Sequence, residues 1–105
     1  MSETNSLTQK AQEWFSKANN DLQTVEILFT DPEPPTDTLC FHCQQAVEKY
    51  LKGALVLNNI DFMKTHDLIY LLKLAQKVID GIEDYEEECL SLNKYGSFVI
   101  IVGTS

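Results

Sequence analysis

Three prolines within one short segment, DPEPP, constrain the fold of this chain more than any other feature. Pro32, Pro34 and Pro35 lack a backbone N–H, and their rings clash with a preceding turn, so no helix continues through them. On both sides of the segment, apolar residues recur at steps of three and four, which is the period of an amphipathic helix. The prolines therefore divide a helical chain and predict two long helices that run antiparallel.

The apolar periodicity predicts four helices, and Gly81 separates the last two of them. Thr65 is expected to cap the third helix. We predict one all-α domain over residues 1–105, an up-and-down antiparallel bundle of four to five helices. Its helices are predicted to span residues 7–30, 37–58, 66–80 and 82–95, before an irregular tail over residues 96–105.

The composition is typical of a folded, acidic domain. Of the 105 residues, 44% are hydrophobic, which is too many for a disordered chain. The net charge of −8 disfavours non-specific binding to DNA or RNA, because an acidic surface repels phosphates. All 8 basic residues are lysines, so the chain has no guanidinium group to hold a phosphate through two parallel hydrogen bonds.

The sequence shows no signal for export or for membrane insertion. Its first residues, MSETNSLTQ, contain neither a basic start nor an apolar run. No stretch approaches the roughly 18 consecutive apolar residues of a membrane span. Since the three cysteines are also an odd number, we predict a cytoplasmic protein with reduced thiols and no membrane association.

The stretch CFHCQQAVEKYLKG, residues 40–53, raises the question of a metal site, because two cysteines flank a histidine. On a helix, Cys40 and Cys43 share a face, whereas His42 points about 160° away from Cys40. The three side chains cannot converge on one ion, and a second pair of ligands is missing. We therefore predict no metal and no other cofactor, with the two cysteines packed in the core or beside it.

A polar stripe on the same helix is the main candidate site. The stripe advances in steps of three, four and three residues, so its members share one helix face: His42, Gln45, Lys49 and Lys52. An imidazole, an amide and two ammonium groups can bind a phosphate and the edge of a base. The alternative is a solvated face held by ion pairs, such as one from Glu48 to Lys52.

A second polar cluster, KTHDL at residues 64–68, starts the third predicted helix. If Thr65 is the cap, the backbone N–H groups at the helix start are free to bind an anion. Lys64 and His66 are therefore further candidates for binding a nucleotide or a partner, and Asp67 is expected to offset the helix dipole. The alternative for His66 is a structural role.

Three stretches, in this order, resemble the HEPN domain over roughly residues 8–95: AQEWFSKANNDLQTVEILF, CFHCQQAVEKYLKGALV and KTHDLIYLLKL. The resemblance implies a helical bundle that forms a homodimer. It also implies a partner, a minimal nucleotidyltransferase encoded beside it in a two-gene pair similar to toxin–antitoxin modules, and binding of a nucleotide or cleavage of RNA. The patterned positions of the family correspond here to Phe41, His42, Gln44, Gln45, Glu48, Lys49, Lys52, Thr65, His66, Asp67 and Leu68.

Ribonucleases of the HEPN family carry an arginine followed a few residues later by a histidine, near the start of a late helix. This chain has no arginine, and its last histidine, His66, precedes the late helix. We therefore predict a non-catalytic module that binds a nucleotide or a partner. The alternatives are a ribonuclease in which His42 or His66 is the general base, and a dimerisation scaffold without a ligand.

The end of the sequence departs from the family. After LNKY the family continues with a segment of the RYP type and a further helix, whereas this chain continues with GSFVIIVGTS. We expect a truncated member or an altered reading frame, and in both cases a bundle that lacks one packing element. The residues of Phe98–Val102 prefer an extended backbone, and they are expected either to pack on the bundle or on another chain, or to be disordered. We expect a second copy of the chain to cover the exposed face of the second and third helices, and Phe98–Val102 could contribute to that contact.

Overall fold

The computed structural model describes the backbone of residues 2–97 and the side chains of residues 6–95. This part of the chain is all-helical, which confirms the predicted fold class. None of the helices within it is both long and apolar enough to cross a membrane. The α-helices are α1 (Ser2–Leu28), α2 (Thr36–Leu57), α3 (Leu68–Ala75) and α4 (Glu86–Asn93), and short 3-10 helices at Ile82–Tyr85 and Lys94–Ser97 flank α4.

The first and last helices differ from their predicted spans. Helix α1 begins at Ser2 rather than at residue 7, because its first turn carries no apolar stripe that periodicity could detect. The predicted fourth helix, 82–95, is instead α4 between the two 3-10 helices. The residues Phe98–Val102, for which an extended backbone is predicted, lie outside the described residues.

The segment between α1 and α2 is a compact turn. The Thr30 hydroxyl donates to the carbonyl of Ile27 at 2.6 Å, and an oxygen of Asp31 accepts the backbone N–H of Glu33 at 2.9 Å. Pro35 has an extended backbone, with φ −66° and ψ 108°, and immediately precedes α2. The chain therefore reverses direction here, as the prolines predict.

Helices α1 and α2 pack as an antiparallel pair that crosses closely at Phe15 and Gly53. A Cβ added at Gly53 would overlap the ring of Phe15, so only glycine allows this approach without a shift. Asp21, further along α1, contacts His42, which comes earlier in α2. The order of these contacts shows that the two helices run in opposite directions.

Helix α3 begins two residues later than predicted, because Asp67 and not Thr65 is its cap. An oxygen of Asp67 accepts the N–H groups of Ile69 at 3.0 Å and Tyr70 at 3.4 Å. The hydroxyl oxygen of Thr65 accepts the N–H of Asp67 at 3.0 Å, so Thr65 shapes the turn before the helix. The expected anion site at a Thr65 cap is thus wrong, since the Asp67 carboxylate already occupies the helix start.

Helix α3 also ends earlier than predicted, at Ala75 rather than at residue 80. The N–H of Lys77 bonds to the carbonyl of Leu74 at 3.2 Å, and that of Val78 bonds to Ala75 at 3.0 Å, so the chain tightens into 3-10 turns. Gly81 follows with φ 82°, a left-handed conformation that favours glycine and redirects the chain toward α4.

Helix α2 separates an apolar half of the molecule from a polar seam. On one side, α3 and α4 pack against it around a buried apolar core. On the other side lies α1, whose buried residues include two small alanines, Ala11 and Ala18. Small side chains let the two helices come close. The core consists of Leu51, Leu55, Leu68, Leu71, Leu72, Ala75 and Cys89.

Candidate functional site

The predicted polar stripe of α2 is largely buried against α1 rather than solvated. Gln45 is 7% exposed and Lys52 is 5% exposed. The ammonium group of Lys52 lies 5.3 Å from the centre of the Trp14 ring of α1. The alternative of a solvated face held by ion pairs is therefore correct in its ion pairs, but Gln45 and Lys52 are buried rather than solvated.

The first polar centre joins α1 to the start of α2 through Asp21. One oxygen of the Asp21 carboxylate lies 2.9 Å from Nδ1 of His42, and the other accepts from Nζ of Lys49 at 2.6 Å. The side chains of His42 and Lys49 remain 26% and 22% exposed, whereas that of Asp21 is 11% exposed. The two cationic groups thus reach the surface while their shared carboxylate is held beneath them. We call this set the Asp21 centre.

The second polar centre is built around Glu48, which directly precedes Lys49 in α2. Its carboxylate accepts from Nζ of Lys52 at 3.0 Å and lies 3.0 Å from Nδ1 of His66. The amide of Gln44 donates both to Glu48 and to the backbone carbonyl of His66, each at 3.2 Å. Gln45 in turn donates to Gln44 at 2.7 Å. We call this set the Glu48 centre.

The two centres share one design, in which a carboxylate holds a histidine and a lysine together. Because an ionised carboxylate can only accept, Nδ1 of each histidine carries the proton, and Nε2 of the neutral ring is an acceptor. Among the described residues, no buried side-chain nitrogen or oxygen lacks a hydrogen-bond partner. A polar network of this kind is rigid, because moving one member would leave the others unpaired.

The structure brings together most of the predicted site residues, but in two sets. His42 and Lys49 meet at the Asp21 centre, while Lys52, His66 and Gln45 belong to the Glu48 centre. Lys64 joins neither set, because it is exposed and forms no hydrogen bond or ion pair with the part of the chain that the structure describes.

Asp21 is a member of the candidate site that the sequence pattern did not identify. A signal for it exists in the sequence, since it is the one charged residue in the buried stripe of α1 formed by Ala11, Ala18 and Val25. A charge at such a position is costly unless a partner neutralises it, and lysine or histidine on the facing helix is the expected partner.

The cysteines near the stripe do not form a metal centre. Cys40 and Cys43 are half-buried free thiols, and burial together with the neighbouring Cys40 raises the pKa of Cys43. Within the described residues, no group of three or more histidine, cysteine, aspartate or glutamate side chains is arranged to hold a metal ion.

These features define the class of protein: it is a small helical bundle with charged groups buried in pairs between its two long helices. The family model described as "HEPN domain" matches residues 11–98, so the chain belongs to the HEPN domain family. At the level of the family, this makes it a nucleotide-binding or RNase-type module. No curated protein and no solved structure matches the chain.

Proposed function

We propose that this HEPN domain is a non-catalytic module that binds a nucleotide through the Asp21 centre. We further propose that it forms a homodimer and acts beside a minimal nucleotidyltransferase in a two-gene system of the toxin–antitoxin type. The observation that carries the proposal is the pair of partly exposed groups, His42 and Lys49, fixed on one carboxylate. Family membership supports the choice of a nucleotide as the ligand.

The chemistry of the Asp21 centre suits a phosphate group. Lys49 has three N–H donors, of which the carboxylate takes one, and His42 is bonded to the other oxygen of the same carboxylate. Since Asp21 already fixes both side chains, little conformational entropy is lost when a ligand binds. The Glu48 centre offers a ligand less, because its lysine and carboxylate are 6% and 4% exposed and only the side chain of His66, which is 39% exposed, reaches the surface.

The absence of arginine favours binding over catalysis. Cleavage of RNA develops negative charge on the reacting phosphorus, and arginine is the side chain that stabilises this charge with two parallel donors. Here only lysines are present, and two of them are neutralised by Asp21 and Glu48.

Ribonuclease activity is the second candidate because each histidine is oriented by a carboxylate. This arrangement, Asp21 with His42 and Glu48 with His66, is the one that prepares Nε2 of a histidine as a general base. Incubation of RNA with the wild type, His42→Ala and His66→Ala tests it. Cleavage that disappears with either change would establish the ribonuclease and overturn the non-catalytic proposal.

Nucleotide binding is tested by calorimetric titration with ATP and GTP. Lys49→Met removes the ammonium group at the Asp21 centre, and we expect it to weaken binding by about tenfold or more, as for the loss of one charged hydrogen bond. Lys73→Met, at an exposed lysine of α3, is the matched control and should change affinity less than twofold. A flat trace for the folded wild type would instead favour a scaffold without a ligand.

A further inference from the structure

A second feature of the molecule, remote in sequence from Asp21, is a hollow on the opposite side of α2. It has a volume of about 200 Å³ and lies where α2, α3 and α4 meet. Small-molecule pockets are typically about 300 Å³ or larger, so this hollow fits a single large side chain better than a complete ligand. We call it the apolar groove; it is lined by Val47, Leu51, Leu72, Ile82, Tyr85 and Leu92.

The segment that supplies Ile82, Tyr85 and Glu88 to the apolar groove is strongly acidic. Residues 80–88, DGIEDYEEE, contain six carboxylates and no lysine. Glu88 itself lines the groove, beside Cys89 at its floor. The carboxylates of Glu88 and Glu86 also lie close enough to contribute, after burial, to the raised pKa of Cys89.

Within the part of the chain that the structure describes, no ion pair neutralises these carboxylates. Every ion pair among the described residues involves Asp21 or Glu48, and none involves residues 80–88. Tyr85, which is 61% exposed, and Leu90, which is 63% exposed, add apolar surface on the same segment. Among the described residues, a hydrophobic hollow beside an uncompensated acidic segment is therefore exposed.

We propose that the apolar groove docks an amphipathic segment of a basic partner protein, with one large apolar side chain inserted as an anchor and lysines or arginines beside it. Charge complementarity selects this occupant, since basic groups would meet the unpaired carboxylates of residues 80–88. A second copy of the chain fits less well, because a two-fold interface at this face would oppose the same carboxylates. The proposal extends the partner-binding part of the proposed function and is independent of the Asp21 centre.

The test uses a synthetic helical peptide with leucines on one face and lysines around them. A matched peptide carries glutamates in place of the lysines. With isotope-labelled protein, the basic peptide should shift the amide signals of residues that line the groove, and the acidic peptide should bind at least about tenfold more weakly. Rising salt should weaken the binding of the basic peptide.

Two variants localise the effect. Glu88→Lys reverses one charge at the groove and should weaken the basic peptide about tenfold, whereas Glu26→Lys, an exposed acid of α1 elsewhere on the surface, should change its affinity less than twofold. Lys49→Met should leave peptide binding intact, so failure of the nucleotide proposal and failure of this one are distinguishable. Equal binding of the two peptides, shifts outside the groove, or concentration-dependent closure of the groove by a second copy would overturn the proposal.

Discussion

Glu48 shows how a charged side chain is accommodated inside a small helical domain. Its side chain is 4% exposed, and it is bonded to Lys52, His66 and Gln44. Such a buried pair stabilises a fold little compared with apolar side chains of the same size, because desolvation offsets the attraction. The pair instead specifies one arrangement of the helices, because the Glu48 carboxylate forms all its hydrogen bonds only when α2 and the segment before α3 lie in this register.

Replacing Glu48 alone should therefore be strongly destabilising. We expect Glu48→Gln to lower the free energy of unfolding by about 3–5 kcal/mol, because Lys52 would be left as a buried charge without a counter-ion. Urea unfolding followed by circular dichroism measures the change. The double variant Glu48→Gln/Lys52→Met removes both charges and should recover most of the loss; a double variant as unstable as the single one would contradict the explanation.

The buried thiols predict how stability changes at alkaline pH. Burial raises the pKa of Cys43 and of Cys89 above the usual 9.0 of a cysteine. The unfolded chain therefore releases these protons first as the pH rises, so the free energy of unfolding should fall above about pH 9 and be unaffected by them below it. Urea unfolding at pH 7.5 and 9.5 measures this slope, which should be smaller in Cys43→Ala/Cys89→Ala. An equal slope in the two proteins would assign the effect to other groups.

At the scale of secondary structure, one pair of residues ties two helices together. The side-chain amide of Asn93, at the end of α4, donates to Asp67 at 2.9 Å, and its oxygen accepts the N–H of Leu68 at 2.8 Å. Asp67 at the same time caps α3. The start of α3 and the end of α4 are thus fixed by one small polar cluster, which positions His66 just before it.

Loss of the cap should loosen this junction. Asp67→Ala is expected to lower the free energy of unfolding by about 1–2 kcal/mol, since it removes the acceptor for the first N–H groups of α3 and for Asn93. Thr65→Ala loses a single hydrogen bond to the backbone and should cost about 0.5 kcal/mol. Chemical denaturation of both variants tests the ranking, which would be wrong if Thr65→Ala were the more damaging change.

At the scale of the whole molecule, the homodimer remains a prediction. The monomer has a mass of 11.9 kDa and a net charge of −8, so two copies repel each other at low ionic strength. We expect sedimentation velocity at micromolar concentration to show twice the monomer mass. Because added salt screens the repulsion, it should strengthen the association. A clean monomer at every salt concentration would contradict the prediction.

The predictable part of this protein follows from local rules. The prolines and the apolar periodicity predicted the all-helical fold, because steric exclusion and helix period depend only on neighbouring residues. The helix ends were less accurate: α3 starts at Leu68 with Asp67 as its cap, and the carboxylate of Asp67 is also bonded to Asn93, which lies 26 residues away. A contact of this separation leaves no trace in the local pattern around Thr65.

The candidate site, too, could be predicted from the sequence only in part. Sequence spacing placed His42, Lys49 and Lys52 on one face of α2, since helix geometry fixes that relation. It could not show that α1 buries this face, nor that Asp21 joins two of its groups while Glu48 holds Lys52 and His66. Local sequence rules fix the helices, the types of charge and the helix faces that carry them, whereas packing between helices fixes which charges meet and which reach the surface. The reason is physical, because pairing and burial depend on distances between helices, which no single helix specifies.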